Sequence, residues 1–235
     1  MSVKTIVDGL DWPKIEVELG EVGCAVTPQL LDPVLCEQLR ASYDRVDLFR
    51  SKVAMARHGF GRGEYKYFGY PLPGAVASLR AAFYPHLVPI ANHWEKMLGR
   101  DRRFPASHGE FLKTCHAAGQ TRPTPLLLRY GPGDYNCLHQ DLYGDEVFPL
   151  QVAILLSAPG DDFTGGELVM TEQRPRMQSR AEVAPLALGA GIIFAVNERP
   201  VQGSKGVYRV RMRHGVSRLR SGSRYTLGVI FHDAT

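Results

Sequence analysis

Hydrophobic residues in the amino-terminal half recur at intervals of three and four, the spacing that places them on one face of a helix. In PQLLDPVLCEQLRASYDRV, Leu31, Leu35 and Leu39 follow this spacing, and Asp32 before Pro33 is typical of a helix start. The segment GAVASLRAAFYPHLVPIANHWEKMLG repeats the pattern on both sides of a proline break and ends on a glycine suited to a helix C-cap. The pattern therefore predicts two or three helices in this half.

The segment between these two stretches, RHGFGRGEYKYFGYPLP, is rich in glycine, aromatic and basic residues. This composition predicts a long loop. Loops of such length are often functional or mobile.

After about Thr121 the chain changes to short apolar runs separated by turns rich in glycine, proline and aspartate. Six runs are candidate strands: PLLLRY, FPLQVAILLS, GGELVMTE, GAGIIFAV, GVYRVRMRHGV and RYTLGVIFH. Closely spaced strands without intervening helices favour an antiparallel sandwich or barrel such as a jelly roll.

The amino-acid composition excludes some classes of protein but does not identify the function. The 235 residues suffice for one domain of generous size or for a core domain with a helical annex, and 44% hydrophobic and 22% charged residues are ordinary for a globular protein. No apolar run approaches the roughly 18 residues that cross a bilayer, and MSVKTIVDGLDWPKIEVELG lacks the apolar core of a secretion signal. Four scattered cysteines without a CxxC pair argue against a disulfide framework and a cysteine zinc site. We therefore expect a cytoplasmic protein without membrane contact.

The net charge of +4 is too small to identify a partner, but basic residues are unevenly distributed. Between Glu198 and Asp233 there is no acid, while eight residues are lysine or arginine. This local positive charge suits an anionic substrate or cosubstrate. The alternative interpretation is a solvated arginine face on an edge strand.

The sharpest candidate for chemistry is His139-Gln140-Asp141, which follows the turn GPGDYN. Residues two apart in an extended segment point to the same face, so an imidazole and a carboxylate would enter one cavity. Such a tripeptide alone is a weak signal. In GVYRVRMRHGV, however, strand alternation places His214 on the apolar face with Val210 and Met212. His214 would complete a 2-His-1-carboxylate set, the arrangement of non-haem Fe(II) oxygenases, whereas by itself it would be a core histidine.

Arg224 lies ten residues after His214 and opens the apolar run RYTLGVIFH. An arginine is costly to bury unless it meets an anion, and its guanidinium suits a carboxylate bidentately. The alternative is an arginine that extends to solvent from the strand end. Arg218 is the second candidate for such an anion site.

Together, His139, Asp141, His214 and Arg224 resemble the signature of the 2-oxoglutarate/Fe(II) oxygenases, in the prolyl 4-hydroxylase-like branch. LLLRYGPGDYNCLHQD, DFTGGELVM and LALGAGIIFAV resemble segments of that branch, and the match covers about residues 121 to 233. Other stretches are similar to an uncharacterised bacterial group within the superfamily. The resemblance implies a mainly β protein with flanking helices (α+β): a double-stranded β-helix (jelly roll) core, residues 121–235, with a helical and loop support region, residues 1–120, packed on it in one domain.

The resemblance also implies the cofactors. Fe(II) would be held by His139, Asp141 and His214, and 2-oxoglutarate would chelate the iron while Arg224 pairs with its far carboxylate. Tyr130 would hydrogen-bond this cosubstrate or, alternatively, pack at a strand end. With O2, such enzymes form succinate and carbon dioxide and hydroxylate a C–H bond. Many members of the branch carry lysine in place of Arg224, which weakens any inference that proline is the substrate.

The substrate stays open between a small molecule, a protein side chain and nucleic acid, and the oligomeric state is not predicted. Candidate substrate contacts are Arg62, Tyr65, Tyr135 and Asn136. The aromatic and basic residues from 57 to 67 suit base stacking and phosphate binding, which makes oxidative demethylation of alkylated nucleic acid an alternative function. A non-catalytic jelly-roll binding module and a zinc hydrolase are further alternatives.

Three other residues are expected to have structural roles and not to bind metal or cosubstrate. His232 at the end of the last run is expected to be structural or on the surface, Cys137 to be a buried small thiol, and Glu167 to be a hairpin residue.

Overall fold

The computed structural model describes residues 2–235. In this part of the chain five α-helices lie before residue 118: α1 (Val3–Asp8), α2 (Trp12–Val22), α3 (Pro33–Ala41), α4 (Gly74–Met97) and α5 (His108–Ala117). The first four strands are interleaved with them: β1 (Cys24–Gln29), β2 (Phe49–Ala54), β3 (Gly61–Arg62) and β4 (Glu64–Phe68). The remaining strands are β5 (Leu126–Tyr130), β6 (Tyr135–His139), β7 (Leu150–Leu155), β8 (Phe163–Gly165), β9 (Leu168–Gln173), β10 (Arg180–Ala184), β11 (Ala190–Ala195), β12 (Glu198–Gly203), β13 (Gly206–Val216), β14 (Leu219–Gly222) and β15 (Arg224–Val229).

These strands form two main antiparallel sheets. The major sheet has the order β1-β11-β7-β15-β5-β4-β2, and the minor sheet has the order β10-β9-β13-β6-β3, with β12 also paired to β13. A third pair, β14 and β8, lies off both sheets. Non-sequential neighbours such as β7 and β15 show that the chain crosses repeatedly between sheets, as in a double-stranded β-helix.

The central strands of the major sheet, β11, β7 and β15, are buried on both faces, and alternation along them separates two clusters. Ile193 and Ala195 of β11 pack with the helices, while Ile192 and Phe194 face the minor sheet. Because successive side chains of a strand point to opposite faces, each strand contributes to both clusters. The helices therefore cover the outer face of the major sheet, and the space between the sheets is left for the site.

The predicted fold class is confirmed, and each of the six candidate strands overlaps an observed strand. The N-cap prediction also holds, since the Asp32 side chain accepts a hydrogen bond from the Leu35 N–H at 2.8 Å, at the start of α3. No helix of residues 2–235 combines the length and the apolar character needed to cross a bilayer.

The proline break predicted in the second helical stretch is wrong. Helix α4 runs without interruption through Pro85 and Pro89. Each proline removes one backbone donor, but the helix buries Phe83, Leu87 and Trp94 against the core. This tertiary packing offsets the lost hydrogen bonds.

The long loop predicted between the helices is also wrong in part. Its segment Glu64–Phe68 forms β4, which pairs with β2 and with β5. Tyrosine and phenylalanine favour the half-buried surface of a sheet, and this preference outweighs the surrounding glycines. Strands β1 to β4 thus extend both sheets from the amino-terminal half, and the division into regions 1–120 and 121–235 stays a prediction.

Candidate active site

His139 and His214 face each other across two strands of the minor sheet. His139 ends β6, His214 lies in β13, and the two residues are directly paired in the ladder. Their ring centroids are 4.2 Å apart. Asp141 follows β6 by two residues, so the strand end and the turn after it bring the carboxylate to the same side.

The three predicted metal ligands converge. Asp141 Oδ1 lies 3.5 Å from His139 Nε2, and Asp141 Oδ2 lies 3.3 Å from His214 Nε2. One ligand atom from each residue lies within 4.8 Å of the others. Two imidazole nitrogens and one carboxylate oxygen are a donor set suited to Fe(II), with coordination positions left for other ligands.

Both oxygens of Asp141 are held by neighbouring side chains. The Tyr143 hydroxyl donates to Oδ1 at 2.7 Å, and the Gln151 amide donates to Oδ2 at 2.8 Å. Gln151 lies in β7 of the major sheet, so this carboxylate connects the two sheets. Hydrogen bonds from neighbouring side chains to a metal-ligating carboxylate fix its orientation.

The charge state of the triad follows from burial and mutual contacts. Burial raises the pKa of Asp141, but hydrogen bonds and charge from His139 and His214 outweigh it and leave the pKa well below its ordinary value. Burial lowers the pKa of His214. For His139, burial acts in the same direction, but the contact with Asp141 dominates and the pKa is raised. Asp141 is therefore ionised, as metal ligation requires of a carboxylate.

The triad lines a cavity of about 310 Å³ between the sheets. Its walls include Leu126, Leu128 and Phe194, and its mouth is flanked by Phe60 and Leu138. The predicted parity of β5 and β15 is confirmed, since Leu126, Leu128 and Tyr130, and likewise Arg224, Thr226 and Gly228, line this cavity.

Arg224 and Tyr130 form a second polar group in this cavity, apart from the triad. They are paired residues of β15 and β5, and both side chains are almost fully buried, with 2% and 0% exposed. Arg224 Nη1 donates to Thr226 Oγ1 at 2.6 Å, whereas Arg224 Nε and the Tyr130 hydroxyl have no hydrogen-bond partner. Burial lowers the pKa of Arg224 to about 10. Among residues 2–235 no carboxylate forms an ion pair with Arg224, so its buried charge calls for an external anion.

The predicted substrate contacts separate into two pairs. Tyr65 and Asn136 line the cavity. Arg62 and Tyr135 are paired with each other between β3 and β6 and lie outside it, exposed. Their roles stay predictions.

Cys137, His232 and Arg218, which the sequence also singles out, fall in distinct places. Cys137 was expected to be buried, but it is exposed and lines the cavity, because β6 lies at its mouth with little packed over it. His232 is fully buried, and its Nδ1 accepts from the Phe148 N–H at 3.3 Å. Arg218 is exposed and Arg224 buried.

Tyr143 and Gln151 were not singled out in the sequence. Gln151 does carry a signal, because it is an amide within β7, a strand that is otherwise apolar and buried at every position. A buried amide needs a partner. Tyr143 carries a weaker sequence signal, namely its position two residues after Asp141.

Comparisons with known proteins agree with this geometry. Residues 63–234 match the model of the family Oxygenase-NA, described as "Oxygenase, catalysing oxidative methylation of damaged DNA". An uncharacterised protein of Mycobacterium tuberculosis (strain H37Rv) is 52% identical over 167 residues, which are 71% of this chain and 72% of that protein.

Solved structures are similar in fold. A prolyl-4-hydroxylase of Pseudomonas putida superposes with a TM-score of 0.53 at 17% identity, over 100% of both chains. An oxidoreductase of the 2OG-Fe(II) oxygenase family from Burkholderia pseudomallei superposes with a TM-score of 0.56 at 16% identity, over 95% of this chain and 92% of that one.

Proposed function

The chain belongs to the Oxygenase-NA family of oxygenases, and we propose that it uses Fe(II) and 2-oxoglutarate to hydroxylate a C–H bond of its substrate. The observation that carries this proposal is the convergence of His139, Asp141 and His214 on a cavity that also contains the guanidinium of Arg224, which forms no ion pair with a carboxylate of residues 2–235. A metal site alone would suit several reactions. A metal site and a buried cation in one cavity suit a metal-chelating dicarboxylate.

The residues that line the cavity fit both Fe(II) and 2-oxoglutarate. His139, Asp141 and His214 would hold the iron. Arg224 Nε and the Tyr130 hydroxyl are buried donors without partners, which is costly unless a ligand completes them. A carboxylate accepts from a guanidinium in a bidentate manner and from a phenol at the same time. These two residues would therefore bind the far carboxylate of 2-oxoglutarate.

When bound, Fe(II), 2-oxoglutarate and O2 supply the oxidation: one oxygen atom enters succinate, carbon dioxide is released, and the other oxygen atom enters the substrate C–H bond. The chain supplies position and shielding. Tyr143 and Gln151 orient Asp141, and the apolar walls around Leu126, Leu128 and Phe194 exclude water. A zinc hydrolase would need the same three ligands but gives Arg224 no role.

The substrate class is open among a small molecule, a protein side chain and nucleic acid. The family description names damaged DNA, which supports a second candidate function, oxidation of a methyl group on a damaged base. Hydroxylation of an N-methyl group yields an unstable adduct that releases formaldehyde, so the same site would remove the methyl group. A cytoplasmic location also stays a proposal, supported by four free cysteines.

The test is succinate formation from 2-oxoglutarate by the purified chain with Fe(II), with Zn(II), or with no metal. The proposal expects succinate with Fe(II) alone and an increase when a substrate is added. The DNA candidate function is tested by adding methylated oligonucleotides as substrate and measuring formaldehyde as well as succinate. Equal activity with Zn(II), or hydrolysis without O2, would favour a hydrolase. Absence of both turnover and metal binding would favour a non-catalytic binding module.

A further inference from the structure

A second cavity adjoins the active-site cavity. Its volume is about 610 Å³, and small-molecule sites commonly measure about 300 to 1,000 Å³. Leu168 and Arg224 line both cavities, so the two spaces meet at these residues. The three proposed metal ligands line the active-site cavity and are not part of the second lining.

The lining of the second cavity is mainly apolar. It comes from β7, β8, β10 and the loops that follow β7 and β10, and it includes Leu155, Pro159, Phe163, Ala184, Pro185 and Leu186. Val183 also lines this space and has 51% of its surface exposed. Exposed apolar residues around a concave space are typical of a ligand site. The second cavity therefore suits a ligand with an apolar body.

The guanidinium of Arg224 lies close to one aromatic ring of each cavity. Its central carbon, Cζ, is 5.7 Å from the centroid of the Tyr130 ring and 5.9 Å from that of the Phe163 ring. Tyr130 lines the active-site cavity, and Phe163 lines the second cavity. Both distances are within the roughly 6 Å over which a cation is attracted to a ring face. The guanidinium is therefore placed at the boundary of the two cavities.

Gly166 leaves Arg224 Nε accessible from the second cavity. Gly166 lines this cavity, and a Cβ on it would lie 3.7 Å from Nε and 3.0 Å from Cδ of Arg224. Nε is buried and has no hydrogen-bond partner among the described residues. A buried donor without a partner is costly. An acceptor that enters the second cavity would therefore meet an unsatisfied donor.

One acid, Glu167, also lines the second cavity, and it is exposed. Its carboxylate accepts a hydrogen bond from the Ser217 hydroxyl. Arg224, in contrast, is 2% exposed. A buried charge needs a partner far more than a solvated one does. The ligand that fits this cavity is thus an anion, in spite of the acid in its lining.

We propose that the second cavity binds a small carboxylic acid with an apolar chain, the chain against Phe163 and Leu186 and the carboxylate at Arg224. The inference rests on the proposed function for its consequence, because the same guanidinium would bind the far carboxylate of 2-oxoglutarate. A guanidinium carries one positive charge and forms a bidentate pair with one carboxylate. The two ligands therefore compete for Arg224, and the acid acts as a regulator that lowers cosubstrate affinity.

The first experiment measures binding of octanoate to the metal-free full chain by calorimetric titration, with octanol as the neutral probe. Octanoate should bind roughly 10-fold to 100-fold more tightly than octanol, as expected for hydrogen bonds to a buried charge. Arg224→Leu should bring the two affinities together. Glu167→Gln removes a like charge, so it should tighten octanoate binding by up to about 5-fold and leave octanol unchanged.

The second experiment locates the ligand. Ala187 lines the second cavity and is exposed, so the side chain added in Ala187→Trp fills this space without displacing a core residue. This variant should lose octanoate binding. Ala181→Trp, at an exposed position of β10 that is not part of the lining, is the matched control and should bind as the parent does. Retained binding in Ala187→Trp would place octanoate in the active-site cavity and overturn the proposal.

The third experiment tests the competition. With Fe(II) under anaerobic conditions, octanoate should raise the apparent dissociation constant of 2-oxoglutarate by about 5-fold or more. By linkage, 2-oxoglutarate should weaken octanoate binding in return. Ala187→Trp should bind 2-oxoglutarate with a constant that octanoate does not change. Independent binding of the two acids to the parent chain would overturn the proposal.

Absence of octanoate binding, or equal affinity for octanoate and octanol in the parent chain, would overturn it as well. Succinate formation measured without octanoate tests the proposed function separately. A chain that forms succinate but does not bind octanoate keeps the proposed function and loses this inference. A chain that binds octanoate at Arg224 but neither binds iron nor forms succinate keeps the acid site and loses the proposed function.

Discussion

His139 and His214 are directly opposite residues of the β6–β13 ladder, and their rings are 4.2 Å apart. Cross-strand pairing thus sets the distance between the two imidazoles. The minor sheet supplies these two side chains, and the major sheet holds Asp141 through Gln151. The geometry of the candidate site therefore depends on how the two sheets pack. Residues outside the triad are then expected to affect metal and cosubstrate binding, and substitutions at these residues test this.

Tyr143 and Gln151 are predicted to set metal affinity without contacting the metal. Tyr143→Phe or Gln151→Leu leaves one Asp141 oxygen without its donor, and loss of a hydrogen bond to a metal-ligating side chain typically lowers metal affinity about 10-fold to 100-fold. Anaerobic Fe(II) titration measures this change. Tyr208→Phe, on a half-buried tyrosine of β13, is the control. Equal affinities in all four proteins would assign Tyr143 and Gln151 a purely structural role.

Arg224 is predicted to determine the Michaelis constant for 2-oxoglutarate. Arg224→Leu should raise this constant roughly 30-fold to 1000-fold, as expected when one partner of a buried charge pair is removed. Arg224→Lys should retain part of the affinity because it keeps the charge but loses the bidentate geometry. Initial rates of succinate formation against 2-oxoglutarate concentration give the values, with Arg103→Gln as an exposed control. A normal constant in Arg224→Leu would exclude Arg224 from cosubstrate binding.

Gly166 should be intolerant of substitution because it packs against Arg224. Its φ is +66°, and a Cβ would lie 2.7 Å from Leu219 Cδ1 and 3.0 Å from Arg224 Cδ. Gly166→Ala is expected to displace the arginine and raise the Michaelis constant for 2-oxoglutarate. Gly99→Ala, where φ is +69° and a Cβ meets no atom within 4 Å, is the matched control. If Gly166→Ala and Gly99→Ala behave alike, this packing is not needed for binding.

Stability is predicted to fall between pH 6.5 and pH 4. Burial lowers the pKa of His108 and of His232 to about 4, from an ordinary value of 6.5. Between these values the unfolded chain binds more protons than the folded chain, so the free energy of unfolding decreases as pH falls. Each histidine contributes up to about 1.4 kcal/mol per pH unit in this window. Urea denaturation at pH 7 and pH 5 measures the loss.

The matched variants for this effect are His108→Gln and His93→Gln, since His93 is exposed on α4. His108→Gln should show a smaller difference between the two pH values than the parent chain, although it is less stable at pH 7. His93→Gln should keep the parent's difference. The same pH dependence in His108→Gln as in the parent would contradict the assignment.

The strands and the triad were predictable because each rests on a local pattern. Alternation along β13 placed His214 on the inner face, and the two-residue spacing placed His139 and Asp141 together. Helix α4 was not predictable in this way, because its passage through Pro85 depends on packing with distant residues. The exposure of Cys137 likewise depends on what covers β6, which local sequence does not encode.

The most direct test of the central claim is anaerobic equilibrium titration of Fe(II) into the purified chain and single-residue variants. One iron per chain should bind the parent, and binding should be lost in His139→Ala, Asp141→Ala and His214→Ala. His93→Ala and Asp101→Ala, which remove an exposed histidine and an exposed aspartate, should bind as the parent does. Parent-like Fe(II) binding by Asp141→Ala and both triad histidine variants would contradict the account.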